Sequence, residues 1–458
     1  MRLEYSNFHV TLQAKYNTMA KSSKYYFKCF SCGKIINGFD EWFANTKKCP
    51  ECGKNRVETF YYDYSKLKSY IYDKSSKDKT IWRYFDYLPL ENEKNIISSG
   101  EGDIKTERWK CLEEYASQQN IDCEVWVYRN DENYATGTFK DAGASLAASV
   151  LKEHNIENYI VASTGNVANA FAYYMAKANI SLYAFIPANA LAMNSAGVSY
   201  YGQRVFRVLG DYAKAKKVAQ EFADKHGFLI TGGNTDPLRV EAKRTMVFEW
   251  LKNMPQFPTV YVQSLSGGTG PIAIEKALRE TESIGVNAKL PRFLMVQPDG
   301  CAPMAHAWEK AKQESFPQGW LNNYPIYENP TTQVPTLATG NPATYPIIGE
   351  LVYRSGGEIF SFEESKCYDV VRAIAFETMV KIGPASSVAL GGFFKALKKG
   401  MIKNGDVVMI NIGEGIARAP EFLEALTYTE QKVNSVDDCQ PLNRTQLKKE
   451  LWDKMADM

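Results

Sequence analysis

The stretch 134–141 reads YATGTFKD and places one lysine, Lys140, between a predicted strand and a predicted helix. Upstream, residues 124–128 (EVWVY) form a short run of β-branched and aromatic side chains, which predicts a buried strand. Downstream, from Gly143 to Lys152, alanines and leucines recur at helical spacing. The positive potential of a helix N-terminus disfavours an ammonium, so we expect the pKa of Lys140 to fall below about 10.4 and its amine to act as a nucleophile.

Three further stretches rich in glycine or small polar residues are also predicted strand-to-helix junctions. They are 163–166 (STGN) after the apolar run 159–162, 264–270 (SLSGGTG) between the strand 259–262 and a helix over 271–279, and 411–415 (NIGEG) after the strand 407–410. In open α/β sheets such junctions meet at the carboxyl ends of the strands, where ligands bind. Together with Lys140 they predict a cofactor site.

Strands and helices alternate from Asp141 to about Trp250 and again from Thr259 to about Gly415, which predicts two lobes with parallel sheets. In the first lobe the predicted strands are 159–162, 182–186, 205–209 and 228–230. We therefore divide the chain into an N-terminal tail (1–23), a metal-binding ribbon (24–60), a linker (61–80), a two-lobed body (81–430, smaller lobe about 141–250) and a C-terminal helix or tail (431–458).

Four cysteines have the spacing of a metal site. Cys29 and Cys32 form one knuckle, and after sixteen residues Cys49 and Cys52 form a second. Two such knuckles are typical of a structural Zn²⁺ bound by four thiolates, and two unrelated cysteine pairs are the less favoured interpretation.

Composition narrows the class of protein. The 458 residues are 45% hydrophobic and 23% charged, as in an ordinary soluble globular protein. The formal net charge is +2 without a long basic run, so nothing indicates a nucleic-acid partner. No stretch approaches the ~20 apolar residues of a membrane span, and the N-terminus lacks the apolar core of a signal peptide. An odd count of 9 cysteines, four with metal spacing, favours a reducing cytoplasm.

Taken together, these stretches resemble the fold-type-II pyridoxal-phosphate (PLP) enzymes, which share a tryptophan synthase β-like fold, and most closely the threonine synthase and cysteate synthase family. Residues 82–89 (WRYFDYLP) and 99–102 (SGEG) resemble the segment that introduces the catalytic body of threonine synthases. Some threonine synthases also begin with a zinc ribbon. The resemblance extends from about Trp82 to Leu426.

The resemblance implies roles for the junction residues. Lys140 would bind the cofactor aldehyde and then act as the base for the substrate α-proton. Asn166 would bind the phenolic oxygen of the cofactor. The cofactor phosphate would lie on a loop at a helix N-terminus, where glycines let the backbone approach the oxygens: Gly267, Gly268, Thr269 and Gly270.

Substrate contacts are implied at two places. Ser163, Thr164 and Gly165 match a loop that receives the α-carboxylate of the substrate, although they could equally cap the following helix. Arg239 matches the arginine that binds the substrate phosphate, since a guanidinium offers a bidentate fork. A solvated helix arginine is the alternative for that residue.

The chain departs from the family pattern at several positions. Residues 103–105 (DIK) replace Thr-Pro-Leu, Tyr134-Ala135 replaces Asn-Pro, Ala142 replaces an arginine, and Pro271 replaces an asparagine. Asp236 introduces a carboxylate beside the predicted phosphate site, where it would repel a dianion. Ile412 falls where the family places the hydroxyl that binds the pyridine nitrogen. Either Asn411 or Glu414 takes over that contact or the nitrogen has no side-chain partner, and we expect no carboxylate contact.

The sequence thus predicts a PLP-dependent lyase or synthase of amino-acid biosynthesis with structural zinc, acting on a small amino acid and assembling as a homodimer. A threonine synthase-like conversion of O-phosphohomoserine to threonine is the leading activity. A cysteate synthase-like β-replacement on O-phosphoserine, or a specialised biosynthetic relative, is the alternative. A non-catalytic zinc-ribbon binding protein is disfavoured because Lys140 and the glycine-rich loop are intact.

Overall fold

The computed structural model describes residues 23–456, so almost all of the predicted N-terminal tail lies outside the described residues. The strands are β1 (Tyr25–Cys29), β2 (Ile35–Ile36), β3 (Val57–Tyr61), β4 (Thr106–Arg108), β5 (Glu124–Arg129), β6 (Asn158–Ala162), β7 (Ser181–Pro187), β8 (Arg204–Val208), β9 (Leu229–Ile230), β10 (Val260–Ser264), β11 (Arg292–Pro298), β12 (Glu358–Phe362) and β13 (Val407–Ile412). The helices are α1 (Gly38–Ala44), α2 (Leu67–Tyr72), α3 (Lys110–Gln118), α4 (Asp141–Glu153), α5 (Asn166–Lys177), α6 (Ala192–Tyr200), α7 (Tyr212–His226), α8 (Pro237–Asn253), α9 (Thr269–Ser283), α10 (Pro303–Gln313), α11 (Tyr345–Ser355), α12 (Cys367–Thr378), α13 (Pro384–Lys398), α14 (Pro420–Glu424) and α15 (Arg444–Ala456).

The first three strands form a small antiparallel sheet in the order β2-β1-β3. Side chains of β1 and β3 alternate between buried and partly buried, as the two faces of a strand require. Phe27 on β1 packs edge-on against Phe39 and Trp42 of α1. This unit is the ribbon, and aromatic rings rather than a large aliphatic core hold it together.

Two parallel sheets form the body. The smaller has the order β8-β7-β6-β9, and α5 and α7 pack on it. The larger has the order β12-β11-β10-β13-β5-β4, and every neighbouring pair is parallel except β4 with β5. The inner strands β6 and β13 are nearly continuous buried runs, as expected of parallel sheets with helices on both faces. The predicted two-lobed α/β architecture is confirmed.

Strand order in the larger sheet places three of the predicted junctions side by side. β13 lies between β5 and β10, so the loops after these strands emerge at one edge. Those loops carry Lys140, Glu414 and the glycine-rich stretch 264–270. The chain leaves the large sheet through α4 and returns through α8, and these two helices pack on each other.

The segments before and after the body are packed against it more closely than the predicted linker and tail. The segment 61–80, predicted as a linker, contains α2, whose Leu67 and Ile71 are fully buried, so it packs as part of the body. At the other end α15 packs against α12 and α13 through Leu451 and Met455. Between residues 23 and 456 no helix has both the length and the apolar composition needed to cross a membrane.

Candidate active site

A cavity of about 520 Å³ is lined by both lobes and by the ribbon. The Lys140 loop, the loop 163–166, the N-terminus of α8, the glycine-rich loop and Glu414 all reach its wall. A second cavity of about 640 Å³ opens between the N-terminus of α7 and the loop 326–341. The two cavities share Thr164, Tyr212, Lys216 and Asn341, but Lys140 lines only the smaller one, which is therefore the candidate active site.

Lys140 lies at the N-cap of α4 and is half-buried in the cavity wall. Its Nζ atom is 3.6 Å from the centroid of the Phe139 ring. Burial, and then the nearby Arg239, hold the pKa of Lys140 well below its ordinary value, while Glu414 opposes them. The direction agrees with the sequence prediction, but the leading cause is burial and not the helix N-terminus. A neutral amine in this position can act as nucleophile or base.

Backbone contacts fix the loop that carries Lys140. The Asp141 carboxylate accepts hydrogen bonds from the backbone N–H and the hydroxyl of Thr136. Phe139 N donates to Gly413 O at 3.1 Å, which ties the loop to the turn after β13. Burial raises the pKa of Asp141 to about 7, although the hydrogen bonds from Thr136 oppose this shift. The lysine is therefore presented by a rigid loop.

A second buried lysine, Lys243, lies under the same aromatic ring. It follows Arg239 by one turn of α8, and its Nζ atom is 4.0 Å from the centroid of the Phe139 ring. Burial and the charges of Lys140 and Arg239 hold the pKa of Lys243 well below its ordinary value. Within the described part of the chain, no group accepts a hydrogen bond from Lys243 Nζ.

The sequence analysis overlooked Lys243, although a signal was present. A lysine four residues after the candidate phosphate-binding arginine must share its helix face. Arg239 is itself buried and donates at 3.4 Å to Asn234 Oδ1. Burying cations without counter-charges is costly, so Lys140, Arg239 and Lys243 together make a site suited to anions.

Across the cavity, Asn166 and Glu414 face each other. Asn166 is the first residue of α5, and its Nδ2 donates to Glu414 Oε2. Its Oδ1 atom is buried and, in residues 23–456, without a hydrogen-bond donor. Ser163 Oγ accepts from Gly165 N at 3.0 Å and Ala168 N at 3.2 Å, so the loop does cap α5. Gly165 has φ +156°, and a Cβ there would lie 2.4 Å from Asn194 Nδ2.

Glu414 is buried and already hydrogen-bonded by the protein. Besides Asn166, its carboxylate accepts from Ala385 N at 2.7 Å and from Thr336 Oγ1 at 3.4 Å. Burial raises its pKa, against the effect of the bonds from Ala385 and Asn166. Ile412, in contrast, is fully buried in the core and does not line the cavity, whereas Gly413 and Glu414 do.

The glycine-rich loop approaches Asn234. Gly267, Gly268 and Thr269 line the cavity, whereas Gly270 does not line it and packs against Gln263, which does. A Cβ on Gly267 would lie 1.7 Å from Asn234 Nδ2, so any larger residue there would have to displace the Asn234 amide. Thr269 Oγ1 donates to Asn234 Oδ1 at 3.0 Å. The loop thus opens α9 with a concave backbone suited to phosphate oxygens.

Asp236 differs from the expectation of an unpaired carboxylate that repels a dianion. Its Oδ2 atom is 2.6 Å from Nζ of Lys47, which belongs to the ribbon. Burial resists ionisation of Asp236, yet Lys47 outweighs it and lowers the pKa of that carboxyl. The extra negative charge is therefore neutralised within the protein, and the expected repulsion is offset.

The four ribbon cysteines fit a zinc ion. Their Sγ atoms all lie within 4.8 Å of one another, with Cys29–Cys52 and Cys32–Cys49 separations of 3.6 Å. Four sulfurs about 2.3 Å from a central Zn²⁺ stand at comparable distances at the corners of a tetrahedron. Four thiolates close such a site, which indicates a structural rather than a catalytic metal.

The cavity also fits pyridoxal phosphate. It offers a half-buried amine of lowered pKa at Lys140, a glycine-lined cradle at a helix N-terminus, and the side-chain amide of Asn166, which can donate or accept a hydrogen bond. These three features match the aldehyde, the phosphate and the phenolic oxygen that the sequence analysis assigned to them.

Known proteins with similar sequences carry related names. Threonine synthase of Methanocaldococcus jannaschii is 27% identical over 394 residues, which covers 85% of this chain and 92% of that protein. Cysteate synthase of Methanothrix thermoacetophila is 26% identical over 419 residues, which covers 87% and 92%.

Solved structures give the same fold. Threonine deaminase isoform 2 from Solanum lycopersicum, in its processed form, aligns with a TM-score of 0.57 at 16% identity, over 77% of this chain and 94% of that one. Maize serine racemase aligns with a TM-score of 0.57 at 15% identity, over 71% and 93%. These likenesses confirm the predicted fold-type-II class.

The family model described as "Pyridoxal-phosphate dependent enzyme" matches residues 99–413. That region contains the Lys140 loop, the glycine-rich loop and the turn after β13. Because the match spans well over half of the chain, the protein belongs to the family of pyridoxal-phosphate dependent enzymes.

Proposed function

We propose that this enzyme replaces a phosphate leaving group on the side chain of an amino acid, as a threonine synthase does when it converts O-phosphohomoserine and water to threonine and phosphate. The observation that carries the proposal is the cluster of basic side chains in and beneath one wall of the cavity, in which Arg239 and Lys243 are buried and Lys140 is half-buried. The similarity to threonine synthase supports the same reaction.

Each residue has a stated part in this proposal. Arg239 and Lys243 bind the anionic leaving group, and the loop Ser163-Thr164-Gly165 receives the α-carboxylate through N–H groups and hydroxyls. Lys140 removes and returns protons at the substrate carbons, a role that the lowered pKa of its amine favours. When bound, pyridoxal phosphate supplies the electron sink for the carbanion at Cα.

The cofactor contacts are proposed as follows. The backbone of Gly267, Gly268 and Thr269 holds the cofactor phosphate, with Gly270 shaping the turn behind them. Asn166 would contact the phenolic oxygen through its side-chain amide. Ile412 occupies the position of the family's hydroxyl but supplies no polar contact to the ring nitrogen.

A second candidate, β-replacement on O-phosphoserine in the manner of cysteate synthase, is favoured by the state of Glu414. Three protein groups already donate to its carboxylate, which leaves it poorly placed to take a ring N–H as well. Without a carboxylate the ring is a weaker sink. β-Elimination tolerates this better than γ-replacement, which needs carbanions stabilised in succession.

The two candidates are separated by a substrate screen. We would incubate the cofactor-loaded enzyme with O-phosphohomoserine, O-phosphoserine, O-acetylhomoserine and O-acetylserine, and measure released phosphate or acetate and the product mass. Phosphate release from O-phosphohomoserine with a product of threonine mass supports the leading proposal, and release from O-phosphoserine alone supports β-replacement. Turnover of acetylated substrates only would contradict both.

A further inference from the structure

The ribbon contributes directly to the wall of the candidate active site. Thr46, Lys47 and Asn55 line the cavity together with Asp236 and Arg239. Lys47 stands two residues before the metal-binding Cys49. A ribbon that served only as a remote docking module would not line this cavity.

The backbone before Cys49 is shaped to present Lys47 inwards. Thr46 and Lys47 have φ values of 51° and 59°, a left-handed conformation that residues with a Cβ adopt rarely. Lys47 N donates to Trp42 O at 2.8 Å, and Cys49 N donates to Lys54 O at 2.7 Å. The turn is thus held between α1 and the second cysteine knuckle.

The Lys47 ammonium contacts the smaller lobe and the start of α8. Its Nζ atom lies 2.6 Å from Asp236 Oδ2 and 3.2 Å from both Tyr159 Oη and Ile230 O. The side chains of Lys47 and Asp236 are 7% and 1% exposed, so water screens this ion pair very little. It is a buried link between the ribbon and the body.

Asp236 in turn fixes the start of α8. Its carboxylate accepts from Gly232 N at 2.6 Å and from Leu238 N at 3.1 Å, which caps the helix. Its carbonyl oxygen accepts from Arg239 N at 2.9 Å. Lys47, Asp236 and Arg239 therefore form a chain of contacts from the metal site to the candidate anion site.

We propose that the zinc ribbon is a working part of the substrate cleft, in which Lys47 is a positioning residue that neutralises Asp236 and holds the start of α8 so that Arg239 can receive an anion. The identity of that anion rests on the proposed function, whereas the coupling between ribbon and helix does not. Without Lys47, or without the metal that fixes its turn, a buried carboxylate would face the anion and repel it.

The test uses the cofactor-loaded enzyme and inorganic phosphate as the probe, with affinity measured by calorimetry. We expect Lys47→Met to weaken phosphate binding about tenfold or more, because a free carboxylate then faces the anion. Asp236→Asn can still cap α8, and in the double variant we expect it to restore affinity to within about threefold. Asp40→Asn removes an exposed ribbon contact with His154 outside the cavity and serves as the matched control.

A second measurement keeps the inference independent of the substrate. Hydrogen exchange should be slow at Gly232 and Leu238 in the parent enzyme, faster in Lys47→Met, and unchanged in Asp40→Asn. Removal of zinc by a chelator should reproduce the Lys47→Met result in both measurements. A Lys47→Met variant with parental exchange and parental phosphate affinity would overturn the inference, as would a double variant no better than the single one.

The outcomes separate this inference from the proposed function. If phosphorylated amino acids are not turned over but exchange at Gly232 and Leu238 depends on Lys47, the proposed substrate is wrong and the coupling stands. If turnover occurs but exchange and phosphate affinity do not depend on Lys47, the coupling is wrong and the proposed function stands.

Discussion

The two faces of α8 differ in whether their buried charges form ion pairs. On one face Arg244 pairs with Glu241 at 2.7 Å and with Glu280, and Lys276 joins the same network. On the other, Arg239 and Lys243 approach Lys140, and among residues 23–456 no acidic side chain forms an ion pair with them. Arg239, Glu241, Lys243 and Arg244 all belong to one helix of 17 residues, whereas Lys276 and Glu280 lie on α9.

This difference between the two faces indicates whether a buried charge stabilises the fold or binds a ligand. A network whose members satisfy one another stabilises the packing of α8 against α9 and the segment after the ribbon, and it leaves no charge over for a ligand. Cations without partners cost folding free energy and are retained where a ligand supplies the missing negative charge. The first face is structural, and the second belongs to the site.

The largest expected effect comes from a substitution in the candidate site that leaves the ion-pair network on the other face of α8 intact. Lys140→Ala should abolish the characteristic absorbance of the lysine-bound cofactor and reduce turnover by at least about 10³-fold, with the free energy of unfolding little changed. Absorbance spectra and denaturant titrations measure both. Lys152→Ala, at the exposed end of α4, is the control. Parental absorbance and turnover in Lys140→Ala would refute the assignment of the site.

The second-largest effect is expected from removing Arg244 from the ion-pair network. Arg244→Met leaves Glu241 and Glu280 with only Lys276 as a cation, and loss of one partner of a buried ion pair costs about 3–5 kcal/mol of unfolding free energy. Turnover per folded molecule should stay within about threefold. Urea denaturation measures the loss of unfolding free energy, with Lys252→Met on the same helix as the control. A loss of activity without a loss of stability would contradict the comparison.

The variant Lys243→Met tests the face of α8 that lies towards the candidate site. Removing an unpaired buried cation should leave the cofactor-free protein as stable as the parent or about 1 kcal/mol more stable. Binding of inorganic phosphate to the loaded enzyme should weaken about tenfold. Denaturation and calorimetry on the same preparations test this. If the variant is destabilised as strongly as Arg244→Met, Lys243 is structural after all.

The smallest expected effect concerns pH. Burial raises the pKa of Asp141 from 3.8 to about 7, so between these values the folded protein binds a proton that the unfolded chain releases. This contribution to stability is therefore complete at low pH and is lost as pH rises through about 7. Between pH 5 and 8 we expect the free energy of unfolding to fall by about 1–3 kcal/mol more in the parent than in Asp141→Asn. Identical pH profiles would contradict the shift.

Much of the fold could be predicted because its signals are local. The apolar runs before Lys140 and before the glycine-rich loop are strands in the structure, and the cysteine knuckles lie together. Some local signals misled: residues 61–80 look polar but pack through Leu67 and Ile71. Two buried side chains in a polar stretch give too weak a periodicity to detect.

The sequence by itself determined the two-lobed α/β body, the zinc ribbon and the cofactor, and it singled out Lys140 as the candidate reactive lysine, since each depends on hydrophobic period or motif spacing within a few residues. Only the tertiary structure decided which charges meet. Lys47 finds Asp236 across 189 residues, and Lys243 comes to lie under the Phe139 ring, where no group of the described residues accepts a hydrogen bond from it. Electrostatic pairing depends on distance in space and on exclusion of water, and neither is written in the spacing of residues along the chain.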